Sequence, residues 1–487
     1  MDLSIKSRPK SWFRRKLRQP HPHEVLVIGF ALMILIGTIL LMSPVAARGP
    51  RLSLLDAVFT ACASVCVTGL SPFDPATRLT LHGQIILISL AECGALGFMT
   101  ITAGVARMTR HKSSFQSRIV LRESINAPGM HDLTRTAMQI LIITFICECI
   151  GACLFAIRFI PEFGVGRGIY LSIFHSVSSF CNAGYTVFGI GDSMIPFQKD
   201  MLVNVVTMIL VIIGGLGFFV LLELFDYLSP ALHKRERWDA LLQDMSDDMR
   251  LTEKYTKRNL SLNTRVVLRM TVVLVLGGAI VFLAVEWSNP RTLGAPDMSV
   301  GDRIMGAFFQ SVSTRTAGFM SVSQVAMRPV SKIATFILMF IGASPAGTAG
   351  GLKTTTTAVL VAFVWTVTRG RKDVILMKRR LPQDLVYRSV ALFALAIFWI
   401  ILMSSILLLL EPHIPMSSIL FETVAAFGTT GMATGVTEQL SAPSLVVLMI
   451  TMFSGRVGLF TLTMALASRF ADHESYVRYP EARLLIG

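Results

Sequence analysis

Apolar positions along the chain fall into long, nearly charge-free runs separated by short polar segments. Runs near residues 24–43, 133–157, 264–285 and 386–410 reach the ~20 residues that a helix needs to cross a bilayer. Each is followed by a shorter amphipathic run that turns into small polar residues around one glycine. The four such stretches are Phe59–Leu70, Phe174–Tyr185, Phe308–Phe319 and Phe421–Met432, with the glycine at Gly69, Gly184, Gly318 and Gly431. About a dozen residues cannot span the membrane, so each stretch is predicted to enter it as a half-helix and leave as a re-entrant loop. Exposed backbone carbonyls are tolerated there only beside protein or a water-filled path. Further apolar runs near 81–105, 201–226, 332–368 and 444–468 close each unit. The pattern predicts an all-α polytopic membrane protein, with eight spans arranged as four repeats of helix, re-entrant pore loop and helix around a central pore.

The boundaries that follow are a basic N-terminus (1–22), repeat 1 (23–110), a linker (111–132), repeat 2 (133–232), a linker (233–262), repeat 3 (263–368), a linker (369–383), repeat 4 (384–472) and a C-terminal tail (473–487). The first apolar run lacks a small-residue cleavage site and reads as a retained helix rather than a removed signal peptide.

Composition agrees with this reading. Only 15% of the 487 residues are charged and the mean hydropathy is +0.63, where a soluble protein carries ~25% charged residues. The net charge of +15 comes from clusters at Lys6–Arg18, Arg107–Arg122, Lys234–Arg269 and Arg369–Arg380. Pairs of spans separate these clusters, so they share one face. That makes them cytoplasmic loops rather than a nucleic-acid surface, and it predicts a cytoplasmic N-terminus. Seven cysteines lie in or beside apolar segments with no zinc-site spacing. They are expected to be small buried packing residues.

The glycine loops carry the chemistry. A cation crossing lipid must exchange its water shell for other oxygens, and backbone carbonyls supply them without a trapping full charge. Turning successive carbonyls inward needs backbone angles that glycine permits. The preceding half-helix aims its negative C-terminal end at the ion. A second feature is the break in span 332–368 at Gly342-Ala-Ser-Pro-Ala-Gly-Thr-Ala-Gly-Gly-Leu-Lys353. Its proline and glycines cannot continue a regular helix cheaply. It is expected to be a gate formed by Gly342, Ser344, Pro345, Gly347, Thr348, Gly350, Gly351 and Lys353, in what reads as the one conspicuously broken span. Leu352 occupies the place of a required P-loop glycine, so this is not a nucleotide loop.

Arg456, inside the last apolar run, is expected to face the pore and raise the barrier to cations, with hydrogen bonds to loop carbonyls as the compatible alternative. Glu92, Glu148, Glu223, Glu422 and Gln310 are expected to make structural hydrogen bonds, with cation coordination as the alternative. Lys353 is expected to snorkel or tether the gate, and Arg315 to brace the third loop. The runs Gly94–Gly97 and Gly214–Gly217 read as close helix-packing surfaces.

The loops, Gln310–Phe319, Gly214–Phe218, Lys353–Thr357, Gly455–Gly458 and Tyr479–Arg483 together resemble the Trk/Ktr/HKT superfamily of cation transporters over nearly the whole chain, and within it the membrane subunits of bacterial Ktr systems. The resemblance implies a selectivity filter of Val67, Thr68 and Gly69; Asn182, Ala183 and Gly184; Thr316, Ala317 and Gly318; and Thr429, Thr430 and Gly431. It also implies Arg456 beneath the gate loop. Glycine in all four loops implies potassium as substrate, taken up across the bacterial inner membrane. The resemblance further implies a homodimer with a cytoplasmic ring of RCK-domain (KtrA-like) subunits. ATP or ADP would bind on that partner, and no cofactor is expected in this chain. No catalytic constellation is present, so no enzyme activity is expected. The alternatives are a Trk-type subunit, the ion-binding subunit of an ATP-driven potassium pump, or a secondary carrier; the last would show inverted rather than direct repeats.

Overall fold

The computed structural model describes residues 22–97, 133–189, 193–228, 260–459 and 461–463. Residues 1–21, the linker 111–132, most of the linker 233–262 and the tail 473–487 lie outside them.

Each repeat opens with a long helix: Pro22–Leu41, Leu133–Phe163, Leu262–Glu286 and Gln383–Leu410. Among the described residues these four are long and apolar enough to cross a membrane. Their outward positions, such as Ile28, Leu32, Ile39, Ile280 and Leu409, remain exposed. Apolar side chains facing outward along a whole helix face lipid. The molecule is a multi-pass membrane protein.

The half-helices follow at Leu54–Val65, Val165–Phe180, Val300–Ser313 and Met416–Phe427. Local chemistry starts them. Ser53 accepts from the Asp56 amide, and Ser299 and Asp302 form a reciprocal capping box. Their C-terminal turns are buried at Ala63–Val65, Ser178–Phe180, Ser311–Ser313 and Ala425–Phe427. The half-helices therefore stand inside the ring of long helices.

The closing helices are Leu81–Leu96, Met201–Leu216, Pro329–Phe340 and Ala442–Val457. Each is shorter than its apolar run, for a reason the hydrophobicity pattern concealed. The first, second and fourth stop at Gly97, Gly217 and Gly458, with φ of +76°, +92° and +91°. After Gly217 the chain restarts as the helix Phe218–Leu228, bent by 103° from its predecessor. The expectation of one conspicuously broken span is thus corrected, because the closing span of repeat 2 also breaks, at Gly217.

The third closing helix is interrupted differently. It stops at Phe340 and resumes at Thr354. Ile341 and Leu352 pair in parallel, and the Leu352 amide donates to the Phe340 carbonyl (3.2 Å). Residues 342–353 therefore leave the helix axis and return to the same place.

Two further differences from the sequence reading concern smaller features. The linker 369–383 holds an antiparallel hairpin, Ile375–Leu376 with Arg379–Arg380. Its two turn residues, Met377 and Lys378, both have left-handed backbone, as a tight hairpin of this twist requires. Among the cysteines Cys62, Cys66 and Cys181 are buried, but Cys149 and Cys153 are exposed on the outer helix of repeat 2. Spacing along a helix, rather than residue type, decided which face they occupy.

Candidate functional site

The four glycine loops meet at one axis. A Cβ built on Gly69 would lie 2.2 Å from the Ala183 carbonyl oxygen, and one on Gly184 2.6 Å from that of Ala317. A Cβ on Gly318 would lie 1.9 Å from the Thr430 oxygen, and one on Gly431 1.8 Å from the Thr68 oxygen. Each glycine thus abuts the carbonyl that precedes the glycine of the next repeat. The series closes on itself in sequence order, so the repeats form a ring of four.

The loops share one backbone pattern. Left-handed φ occurs at each glycine and again two residues earlier: Val67 and Gly69, Asn182 and Gly184, Thr316 and Gly318, Thr429 and Gly431. In an ordinary extended chain successive carbonyls point to opposite sides. Reversing the sign of φ at every second residue returns them to the same side. Left-handed backbone is costly for non-glycine residues, especially the β-branched Val67, Thr316 and Thr429. Each such strained position costs about 1–3 kcal/mol and must be held by its surroundings.

The holding groups are visible. The amides of Thr68, Ala183 and Thr430 each donate to the carbonyl five residues back, at Ala63, Ser178 and Ala425 (2.8 Å each). Loop 3 has one more residue between half-helix and glycine, and there Ala317 and Gly318 both donate to the Ser313 carbonyl. Behind the loops, the Ser178 hydroxyl donates to the Tyr185 carbonyl (2.9 Å), and Ser64 shares a hydrogen bond with the Tyr185 hydroxyl (3.2 Å). Gln310 and Gln324 exchange a reciprocal pair of amide hydrogen bonds. Glu422 accepts from the Thr434 amide and the Thr437 hydroxyl (2.9 and 2.8 Å). Gln310 and Glu422 therefore brace the chain that leaves their own loops.

The interrupting segment 342–353 lies against these loops. The Ser344 and Thr348 amides donate to the carbonyls of Gly215 and Gly214, and the Phe218 amide donates to the Ala346 carbonyl (3.1, 3.3 and 2.8 Å). The Gly350 amide donates to the Thr429 hydroxyl (3.0 Å), beside the fourth glycine loop. The Thr348 hydroxyl reaches the Phe180 carbonyl at the end of the second half-helix (3.4 Å). The hydroxyls of Ser344 and Thr354 share a hydrogen bond (3.0 Å), and Lys353 Nζ donates to the Ala349 carbonyl within the same segment (2.7 Å). A segment of repeat 3 is thus fastened to repeats 2 and 4.

Pro345 and Gly347 sit at the break of repeat 2: a Cβ on Gly217 would lie 2.4 Å from the Pro345 oxygen, and one on Gly347 3.1 Å from the Gly214 oxygen. Gly351 has φ of +69° and Gly342 packs on the Gly350 carbonyl. Ala346 also has left-handed backbone, with φ of +57°.

Arg456 completes the assembly. Its guanidinium donates to the Thr348 carbonyl in the interrupting segment and to the Gly94 and Ala95 carbonyls of repeat 1. One side chain of repeat 4 therefore links repeats 1 and 3, with its charge directed at backbone oxygens. Glu223 accepts from the Ser261 and Thr264 hydroxyls, and Glu148 lies beside the Cys181 thiol. Arg315 is buried near the third loop with no hydrogen-bond partner for its Nε.

The reading of Gly94 and Gly214 as close-packing positions holds, and what the sequence did not show is that their partners are the ends of the half-helices. Gly94, Gly214 and Gly455 each lie three residues before the glycine at which their closing helix stops, and Gly342 lies two residues past the end of the third closing helix. Cβ atoms on Gly94, Gly214 and Gly455 would lie 2.0, 1.9 and 2.0 Å from the Val65, Phe180 and Phe427 carbonyls, where the half-helices end. On Gly342 the neighbour is instead the Gly350 carbonyl of the interrupting segment (2.1 Å). The recurrence of Gly-x-x-Gly in three closing helices was the available signal.

A closed ring of four strained glycine loops, each at the end of a half-helix and enclosed by lipid-facing helices, defines a pore-type membrane protein. The chain belongs to the TrkH family of cation transport proteins, whose family model matches residues 3–477. It is 32% identical to the Ktr system potassium uptake protein B of Bacillus subtilis (strain 168), over 96% of this chain and 97% of that one. It is 33% identical to the potassium/sodium uptake protein NtpJ of Enterococcus hirae, over 97% and 99%. The fold matches the crystal structure of the potassium transporter TrkH from Vibrio parahaemolyticus with a TM-score of 0.70 and 17% identity, covering 94% of this chain and 87% of that one.

Proposed function

We propose that this protein takes up potassium ions across the bacterial inner membrane, with a cytoplasmic N-terminus and eight spans. The observation that carries the reading is the ring in which each loop glycine meets the carbonyl of the next repeat. Carbonyls turned to one side by the alternating φ replace the hydration shell of a cation without binding it irreversibly. The half-helix C-termini add favourable potential at the same place. Val67–Gly69, Asn182–Gly184, Thr316–Gly318 and Thr429–Gly431 are the proposed filter, and segment 342–353 with Arg456 is the proposed gate. The names of the relatives support potassium as cargo.

The same reading makes the protein a homodimer whose gate is moved by a cytoplasmic RCK-domain ring. Nucleotide binds on that partner, and no step of catalysis is assigned to this chain. A potassium-deficient strain tests the core of the proposal through potassium and rubidium uptake, with and without sodium. Wild type should restore uptake with potassium preferred, and Gly69→Ser should lose that preference. Equal preference in the variant refutes the role given to the glycine ring. The sodium arm matters because one relative is named for both ions.

A further inference from the structure

The residue that follows each ring glycine is buried: Leu70, Tyr185, Phe319 and Met432. Two of them reach the preceding repeat through a polar or sulfur atom. Met432 Sδ lies 3.9 Å from Gln310 Nε2, and the Tyr185 hydroxyl lies 3.2 Å from Ser64 Oγ. Tyr185 alone of the four carries a hydroxyl. A neighbouring bond fixes the direction of its hydrogen bond. Ser64 donates its own proton to the Thr60 carbonyl (2.8 Å), so the Tyr185 hydroxyl donates and Ser64 Oγ accepts. Both residues are enclosed, Tyr185 at 2% exposure and Ser64 at 0%. Their backbones hold the loops as well. The Tyr185 carbonyl accepts from the Ser178 hydroxyl of its own half-helix (2.9 Å), and the Ser64 carbonyl accepts from the Val67 amide (2.9 Å). On the ring side of the same seam, Gly69 abuts the Ala183 carbonyl.

We infer that Tyr185 is a positioning residue that sets ion preference through Ser64, an assignment that rests on reading the ring as the filter. Val67 holds a left-handed backbone, with φ of +56°, that a β-branched residue disfavours. Ser64 supplies the carbonyl that receives its amide. The hydroxyl pair ties Ser64 to the residue next to Gly184. Loops 1 and 2 therefore cannot shift against each other without breaking a buried hydrogen bond, and a buried hydroxyl left without a partner is costly. A carbonyl ring that prefers a larger cation must resist contracting onto a smaller one. At the seam between repeats 1 and 2 a directional bond supplies that resistance from behind the ring. At the other three positions leucine, phenylalanine and methionine have no hydroxyl to donate.

The test is rubidium uptake competed by sodium, in a potassium-deficient strain expressing the full-length chain. Tyr185→Phe keeps the ring and removes only the hydroxyl. The sodium concentration that halves uptake should fall roughly two- to tenfold, the range that one hydrogen bond is worth. Ser64→Ala should give the same fall and the double variant no more than either, because all three lack the same bond. Half-inhibition is a ratio within one sample. A purely structural role lowers the amount of folded protein, scales uptake alike at every sodium concentration and leaves that ratio unmoved. Ser64→Ala carries the test if Tyr185→Phe does not fold. Wild-type half-inhibition in Tyr185→Phe overturns the role of the hydroxyl, and losses that add in the double variant overturn its pairing with Ser64. A wild type without preference for rubidium over sodium overturns the filter reading and this assignment with it, so the two failures are read from different samples.

Discussion

Gly431 of the fourth repeat packs on the carbonyl of Thr68 in the first, so closely that a Cβ there would fall 1.8 Å from the oxygen. This contact joins the two ends of the repeat series and turns four loops in a row into four walls of one ring. It also makes each glycine answerable to its neighbour as well as to its own backbone angle.

Gly69→Ser therefore meets two obstacles. Its φ is +84°, and the new Cβ would lie 2.2 Å from the Ala183 oxygen. Left-handed strain of about 1–3 kcal/mol corresponds to roughly a tenfold or greater change in an equilibrium. The expected outcome is at least about a tenfold loss of potassium preference over sodium, read as competitive rubidium uptake.

Arg456→Ala removes donors from Thr348, Gly94 and Ala95 together. The interrupting segment then keeps its contacts to Gly214, Gly215 and Thr429 but loses its link to repeat 1. Uptake should rise while ion preference is retained. Arg456→Lys, a point charge with no planar fork, should fall between wild type and the alanine variant. Unchanged or lower uptake in Arg456→Ala counts against a barrier role.

Glycines in the closing helices should sort by what stands beside them. Gly94→Ala, Gly214→Ala and Gly455→Ala would each force a methyl to within about 2 Å of a backbone carbonyl, and overpacking of this kind typically costs about 1–3 kcal/mol. Gly277 lies in the long helix Leu262–Glu286 with open space around it. Gly277→Ala should raise stability by up to about 1 kcal/mol. Thermal unfolding in detergent should show opposite signs for the two groups.

Glu411, just past the last long helix, accepts from the Ser441 amide and the Ser444 hydroxyl (2.7 Å each). Hydrogen bonds from Ser441 and Ser444 hold its carboxyl below the usual range. The ionised form therefore stabilises the fold above the unfolded value of about 4.3, and the contribution is lost as pH falls through the depressed folded value. Glu411→Gln should lower stability by about 1–2 kcal/mol at pH near 7. The gap between variant and wild type should close in acid, as measured by Tm against pH.

How much was readable in advance differs from residue to residue. The four half-helices and their glycines were legible because a run too short to span, ending in small polar residues, recurs at matching places. The break at Pro345 was legible because proline and clustered glycines oppose a helix locally. The break at Gly217 was not, because one glycine inside an apolar run costs little and looks like a packing residue until the partner carbonyl of Pro345 is beside it. Arg456 was recognisable as an anomaly at its depth, but its three acceptors come from segments of repeats 1 and 3 distant in sequence.

The amino-acid sequence by itself determined the membrane class, the four repeats and the positions of the loop glycines, since each follows from local hydrophobicity and backbone freedom. Only the tertiary structure decided that the loops close in cyclic order, that Thr429 and Gly214 hold the interrupting segment, and that Arg315 is buried with its Nε unpartnered. Those facts depend on which backbone carbonyls face which neighbours, and carbonyls are identical at every residue, so no residue type announces them.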